Sequence, residues 1–283
     1  MIFWIASYPK SGNTWLRALL SSYFYSEEGI FNQNLLKNID QFPEKRHFSD
    51  FNYDPKIVTD TSKFWIKAQE KINLNNELNF LKTHNILGSI NNSNFTNKKN
   101  TIGAIYIVRD PRNVLTSIQN HYELSKDDAL KFMLSEKKYI HDYHVKDDFS
   151  DFQFISSWEK NYKSWINQKI FPVKLIKYED LIVKPLDILR EIIDFIQNTI
   201  QEKKDIDNLK AQNSVKSSNF KNLKNIEKNN GFLESILSKN DNKKIPFFHL
   251  GPKNDWKSMF DKTYQEKLNL IFKNNLKELN YLK

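Results

Sequence analysis

The chain has 283 residues, 43 of them basic against 34 acidic, for a net charge of +9 that suits an anionic ligand, although many lysines sit among asparagines in polar stretches that read as solvated surface. It contains no cysteine, which excludes disulfides, thiolate metal sites and cysteine nucleophiles. No apolar run approaches the roughly 20 residues that span a bilayer, and the first residues form a strand that leaves no room for a cleavable leader, so a cytoplasmic protein is expected.

Ile2, Phe3, Trp4, Ile5 and Ala6 make a short run of β-formers, as expected of a strand covered on both faces. Tyr8 and Pro9 break that run, Lys10, Ser11 and Gly12 turn the chain, and a helix is expected from Thr14 to about Tyr25, with a stop near Gly29. A strand that feeds a small-residue loop at a helix N-terminus offers unpaired N–H groups and a positive dipole end to an anion. Lys10 adds an ammonium at the same place, so the loop is a candidate phosphate cradle. Such turns also occur without a ligand, and Lys10 precedes Gly12, so the loop does not follow the GxxxxGK[ST] order of triphosphate sites.

Residues 30–80 are polar and aromatic with few clear periodicities; within them, residues 63–68 read as either a short strand or a fragment of helix. A long insertion after the first helix of an α/β enzyme often builds the substrate side of the pocket. Residues 79–84 look like a second strand that ends in polar groups. Lys82 and His84, two apart, are expected on the same side of it, at the strand end where open parallel sheets bind ligands. A polar connection over residues 91–100 leads to the clearest strand, residues 104–108, followed by Arg109-Asp110-Pro111-Arg112 and a helix for which Pro111 suits the first position. Arg109 and Ser117 could bracket a phosphate; alternatively, Asp110 pairs with Arg109 or Arg112 in a structural ion pair.

Ser125 reads as the N-cap of a helix to about Met133. Residues 152–167 are expected to form an amphipathic helix whose stripe of Phe154, Ile155, Trp158, Tyr162 and Trp165 is core. A fourth strand over 173–178, the segment Glu179-Asp180-Leu181 and a helix over 185–197 follow. This alternation predicts a parallel sheet with right-handed crossovers and helices on both faces. Beyond residue 200 the chain reads as polar and helical, interrupted by an aromatic loop over 247–257 before a last helix over 264–279. A single domain over 1–283 is expected, with 30–80 and 122–150 on the acceptor side.

Taken together, these segments resemble the P-loop-type sulfotransferases, whose donor is 3′-phosphoadenosine 5′-phosphosulfate. Tyr8-Pro9-Lys10-Ser11-Gly12-Asn13-Thr14-Trp15 is similar to that family's 5′-phosphosulfate loop, and Ile105 to Val114 with Ser117, eight after Arg109, to its 3′-phosphate motif. Phe80-Leu81-Lys82-Thr83-His84 resembles the strand with the family's catalytic histidine, and Lys177-Tyr178-Glu179-Asp180-Leu181 its Tyr-Glu-Asp segment. Ser218-Asn219-Phe220 and Phe248-His249-Leu250-Gly251, followed by Asp255-Trp256-Lys257, resemble its C-terminal donor-binding pieces. The resemblance implies a P-loop NTPase-like sulfotransferase fold and sulfuryl transfer to a hydroxyl or amine. It implies His84 as general base, with Lys10 and Lys82 stabilising charge. Lys10, Ser11, Gly12, Asn13, Thr14 and Trp15 would hold the 5′ end. Arg109, Ser117, Phe248, His249 and Gly251 would serve the 3′ end, and Trp15, Tyr178 and Phe220 the adenine. No metal and no nucleic acid are implied, and the acceptor would be a small molecule or a glycan. The chain departs from the family at His249-Leu250, where Arg, often followed by Lys, precedes the glycine; Lys253, Lys257 or Arg112 are the substitutes within reach of the sequence. The rival readings are a silent protein that binds an adenosine bisphosphate or a polyanion, and a small-molecule kinase, which lacks its GK[ST] loop here.

Overall fold

All six residues of the first strand, β1 (Ile2–Ser7), are buried. Their alternation sends Phe3 and Ile5 into one core and Ile2, Trp4 and Ala6 into another. That two-sided burial is why the run is continuously apolar, and it makes β1 the centre of the molecule. The computed structural model describes residues 1–142, 145–232, 234–238 and 243–282.

In chain order, the loop after β1 leads into α1 (Asn13–Tyr25), then an edge strand β2 (Asp40–Gln41), α2 (Trp65–Ile72), β3 (Asn79–Thr83) and β4 (Thr101–Val108). α3 (Pro111–Tyr122), α4 (Lys126–Leu134), α5 (Trp158–Ile166), β5 (Val173–Lys177), α6 (Tyr178–Val183) and α7 (Pro185–Ile200) follow, then α8 (Asn208–Ser217) and α9 (Phe220–Asn230). The main sheet has five strands in the order β2-β3-β1-β4-β5, and every pairing is parallel. β1 pairs with both β3 and β4, so the chain leaves it in opposite directions and a crevice opens beyond its C-terminal end. α1 and α7 cover the face that Phe3 and Ile5 line, while α5 and the aromatic insertion cover the Trp4 face. Among the described residues, no helix is long and apolar enough to cross a membrane.

Two expectations change, one open alternative is resolved and one strand is new. Residues 63–68 straddle a 3-10 turn and α2, so they belong to the helical alternative. The helix expected over 152–167 begins only at Trp158: Gln153–Phe154 is a short strand, Ser156 has φ 56°, and the Ser157 hydroxyl accepts from Lys160 N–H as the N-cap. A cap and a left-handed residue override an apolar spacing that fits both structures. The edge strand β2 had no signal, because two polar residues carry no periodicity. The last helix is two, Lys262–Ile271 and Lys273–Glu278.

Candidate active site

The loop between β1 and α1 is built on two left-handed residues, Lys10 (φ 64°) and Gly12 (φ 102°). A Cβ on Gly12 would lie 2.4 Å from the Tyr178 ring, so only glycine passes there. Asn13 Nδ2 donates back to Ile5 O at 3.0 Å and to Ser7 Oγ at 3.1 Å, pinning the loop to the strand it leaves. Leu16 N–H to Gly12 O is the first helical bond, at 3.1 Å, and the amides ahead of it have no helical acceptor. Ser11 Oγ and Asn13 Oδ1 are buried without a partner among the described residues. The Ser11 hydroxyl can donate and, with the loop amides, fits an anionic ligand, whereas the Asn13 oxygen can only accept.

Lys82 lies on β3 and His84 one residue past its end. His84 Nδ1 is 2.8 Å from Ser7 O, and a carbonyl can only accept, so Nδ1 carries the hydrogen and Nε2 remains the basic nitrogen. The His84 backbone is fixed on both sides: its N–H donates to Gln153 Oε1 at 2.7 Å, and its carbonyl accepts from Asn161 Nδ2 at 2.9 Å. Burial, reinforced by the Lys82 charge, pushes the imidazole down to about 3. Lys82 Nζ donates to Gln41 Oε1 at 3.0 Å, and burial lowers it as well. Lys10 Nζ lies 3.9 Å from the centre of the Phe247 ring and 3.4 Å from His121 Nδ1. Burial lowers this ammonium, and with the nearby Arg109 and Lys82 charges it outweighs the pull of Glu234, leaving Lys10 at about 7.

Arg109 follows β4 and is 6% exposed. Its Nη1 donates to Lys10 O at 3.2 Å and Ser117 Oγ at 3.3 Å, its Nη2 to Gly251 O at 3.4 Å, and its Nε has no partner among the described residues. The guanidinium lies 4.3 Å from the centre of the Tyr178 ring. Asp110 pairs with Arg112 instead, at 2.6 Å, and Arg112 also donates to Asn269 Oδ1 at 2.7 Å and covers Trp256. The structural ion pair thus falls to Arg112, which keeps Arg109 for the cavity. The loop that contains Phe248 and His249 is held by Glu227 of α9, which accepts from the Phe247 and Phe248 amides at 2.6 and 2.9 Å. Phe220 packs so tightly on Gly251 that a Cβ there would lie 2.1 Å from its ring.

One cavity of about 470 Å³ brings these groups together. Lys10, Gly12, Asn13, Thr14, Trp15, Lys82, His84, Arg109, Ser117, Tyr178, Phe220, Phe248, His249 and Gly251 all line it. Ser11 is buried behind the wall, and Arg112, Lys253 and Lys257 are not on it. Of the long insertions, Gln41 contributes from 30–80, and Tyr122, Ile140, His141 and Asp142 from 122–150. Sequence reasoning missed Gln41, His121, Gln153 and above all Glu234, whose carboxylate accepts from Thr14 Oγ1 at 2.7 Å and is ion-paired with Arg17. Glu234 sits in the segment 231–237, which carries no motif. Arg17 carried a weak signal, being one turn after Asn13 on the helix that leaves the loop.

Comparison with known proteins places these features in context. Residues 2–280 match the family model described as the sulfotransferase domain. Sulfotransferase 1A1 of Rattus norvegicus is 23% identical over 98% of this chain and 85% of its own length. Flavonol 3-sulfotransferase of Flaveria bidentis is 24% identical over 96% and 80%. Among solved structures, mouse sulfotransferase SULT7A1 complexed with PAP superposes with a TM-score of 0.58 at 18% identity, over 98% of this chain and 84% of that one. Retinol dehydratase in a complex with retinol and PAP gives 0.58 at 18% identity, over 98% and 81%.

Proposed function

The chain belongs to the sulfotransferase family, and from that membership we propose that it transfers a sulfuryl group from 3′-phosphoadenosine 5′-phosphosulfate to a hydroxyl or amine of a small-molecule or glycan acceptor. The solved relatives that hold PAP support a donor of this class. The observation that carries the reading is the convergence, in one cavity, of the β1–α1 loop with Lys10, of Arg109 with Ser117, and of a histidine whose Nδ1 is engaged by Ser7 O, leaving Nε2 as its basic nitrogen.

When bound, the donor supplies the activated sulfuryl group together with its phosphate leaving group. The amides of the loop and the Thr14 hydroxyl suit its 5′ end. Arg109 and Ser117 suit its 3′ phosphate, since Arg109 pairs with no carboxylate among the described residues and its Nε is unspent. Trp15, whose ring stands edge-on to Tyr178 at 5.8 Å, and Phe220 offer apolar faces for the adenine. His84 takes the acceptor proton at Nε2 while Ser7 O holds the tautomer. Lys10 and Lys82 face the same space and stabilise developing negative charge there. The acceptor enters between the two insertions of this single domain, beside Gln41, Tyr122 and Asp142.

Replacement of His84 by Ala should lower kcat by roughly 10²- to 10⁴-fold, measured as bisphosphate release over a panel of phenols, alcohols and sugars. Affinity for adenosine 3′,5′-bisphosphate should be unchanged. Retained turnover would remove His84 from the chemistry. Calorimetry should find binding of the bisphosphate without added metal, and a preference for Mg-ATP would overturn the donor assignment.

A further inference from the structure

Glu234 lines the cavity and has no part in the chemistry above. Its carboxylate accepts from Thr14 Oγ1 at 2.7 Å, is ion-paired with Arg17, and lies 3.9 Å from Lys82 Nζ. Three groups on the loop side of the cavity therefore converge on an anion that the chain itself supplies. Burial by itself raises such a carboxyl, but Lys82, Arg17 and the Thr14 hydroxyl more than offset that and hold it well below the usual carboxylate range, so it is ionised at neutral pH.

The cradle is anchored independently of its occupant. Arg17 is fixed independently by Ile39 O at 3.0 Å and Leu36 O at 3.1 Å, and Thr14 lies in the first turn of α1. Neither can follow the carboxylate if it leaves. A donor 5′ phosphate that uses Thr14 and these cations needs the space and the charge that Glu234 now takes. Two anions sharing the site would repel by several times RT even at the intermediate dielectric of a partly buried cleft.

We propose that Glu234 is a built-in competitor of the donor: it fills the anion position of the cradle, and a nucleotide that brings a negatively charged group to its 5′ end must displace it. This rests on the assignment of the donor's 5′ end to the Tyr8–Trp15 loop. Displacement would also reach the far end of the cavity. Ser235 Oγ donates to Glu227 at 2.9 Å, and that carboxylate also anchors the Phe247 and Phe248 amides of the opposite loop.

The test is calorimetry of the wild-type chain and Glu234→Gln, at one salt concentration, with adenosine 3′,5′-bisphosphate and with adenosine 3′-phosphate. The variant should bind the bisphosphate at least about tenfold more tightly, while the 3′-phosphate, which has nothing to place on Thr14, should change by less than about twofold. Unchanged or weaker bisphosphate binding by the variant overturns the proposal, as does an equal gain for both ligands. Binding of the bisphosphate by neither protein overturns it together with the donor assignment. Should the variant fail to fold, hydrogen exchange on the wild-type chain decides: peptides containing Glu234 must lose protection when the bisphosphate is added, and unchanged or greater protection overturns the proposal.

Discussion

Gly12 and Lys10 make the β1–α1 loop sensitive to single atoms. At Gly12, a methyl group would meet the Tyr178 ring at 2.4 Å on a backbone with φ 102°. Gly12→Ala should therefore cost about 1–3 kcal/mol in urea denaturation and weaken bisphosphate binding, because Tyr178 must move from beneath Arg109. Lys10 gives a pH prediction. Burial first, and then the neighbouring cations, lower it to about 7, so the ammonium proposed to meet the donor is lost as pH rises through that value. Bisphosphate affinity should decline from pH 6 to 9, by up to about tenfold per pH unit above 7. Lys10→Arg should flatten that slope, because a guanidinium stays protonated throughout. A decline of the same slope in both proteins would assign the effect elsewhere.

At the scale of elements, four of the five strands of the main sheet deliver one part of the candidate site at their C-terminal ends: the loop after β1, His84 after β3, Arg109 after β4 and Tyr178 after β5. The precision of His84 comes from α5. Asn161 on that helix donates to His84 O at 2.9 Å and to Ile155 O at 2.8 Å, and accepts from Tyr106 OH at 2.6 Å. All three bonds are lost in Asn161→Ala, which strands buried polar groups and should cost about 2–4 kcal/mol by chemical denaturation. Turnover should fall while the bisphosphate still binds, since Arg109 and Ser117 are untouched. The apolar spacing that suggested one helix over 152–167 was read correctly as core, since Trp158, Tyr162 and Trp165 are buried, but it could not locate the Ser157 cap.

Across the whole molecule, His47, His84 and His121 are pushed down by burial to about 4, 3 and 2. In each case the unfolded chain binds a proton before the folded chain does. Stability contributed by the neutral rings is therefore present above about pH 6.5 and is lost as pH falls below it. Glu234, held low by its cations, adds a loss of the same sign at more acidic pH. Glu44, Asp151 and Glu179, raised by burial, oppose it, because the folded chain takes up their protons first. The histidine shifts are the larger, so thermal unfolding should occur at a lower temperature at pH 5 than at pH 7, with a shallower dependence in His121→Gln.

The sequence by itself determined the parallel architecture, because β1 and β4 are apolar on both faces and only a sheet covered twice accepts such runs. It also marked the loop around Gly12, the Lys82–His84 pair and the Arg109–Ser117 pair, since their spacing is local and set by a strand end and one helix. Tertiary structure alone decided which cation serves which anion. Asp110 could have paired with either neighbouring arginine; it pairs with Arg112, which the Trp256 face and Asn269 also hold, and Arg109 is left to the cavity. It alone brought Glu234, 220 residues from Thr14, into the anion cradle. A contact between residues so distant leaves no trace in periodicity or spacing, because it forms only once the chain has closed on itself.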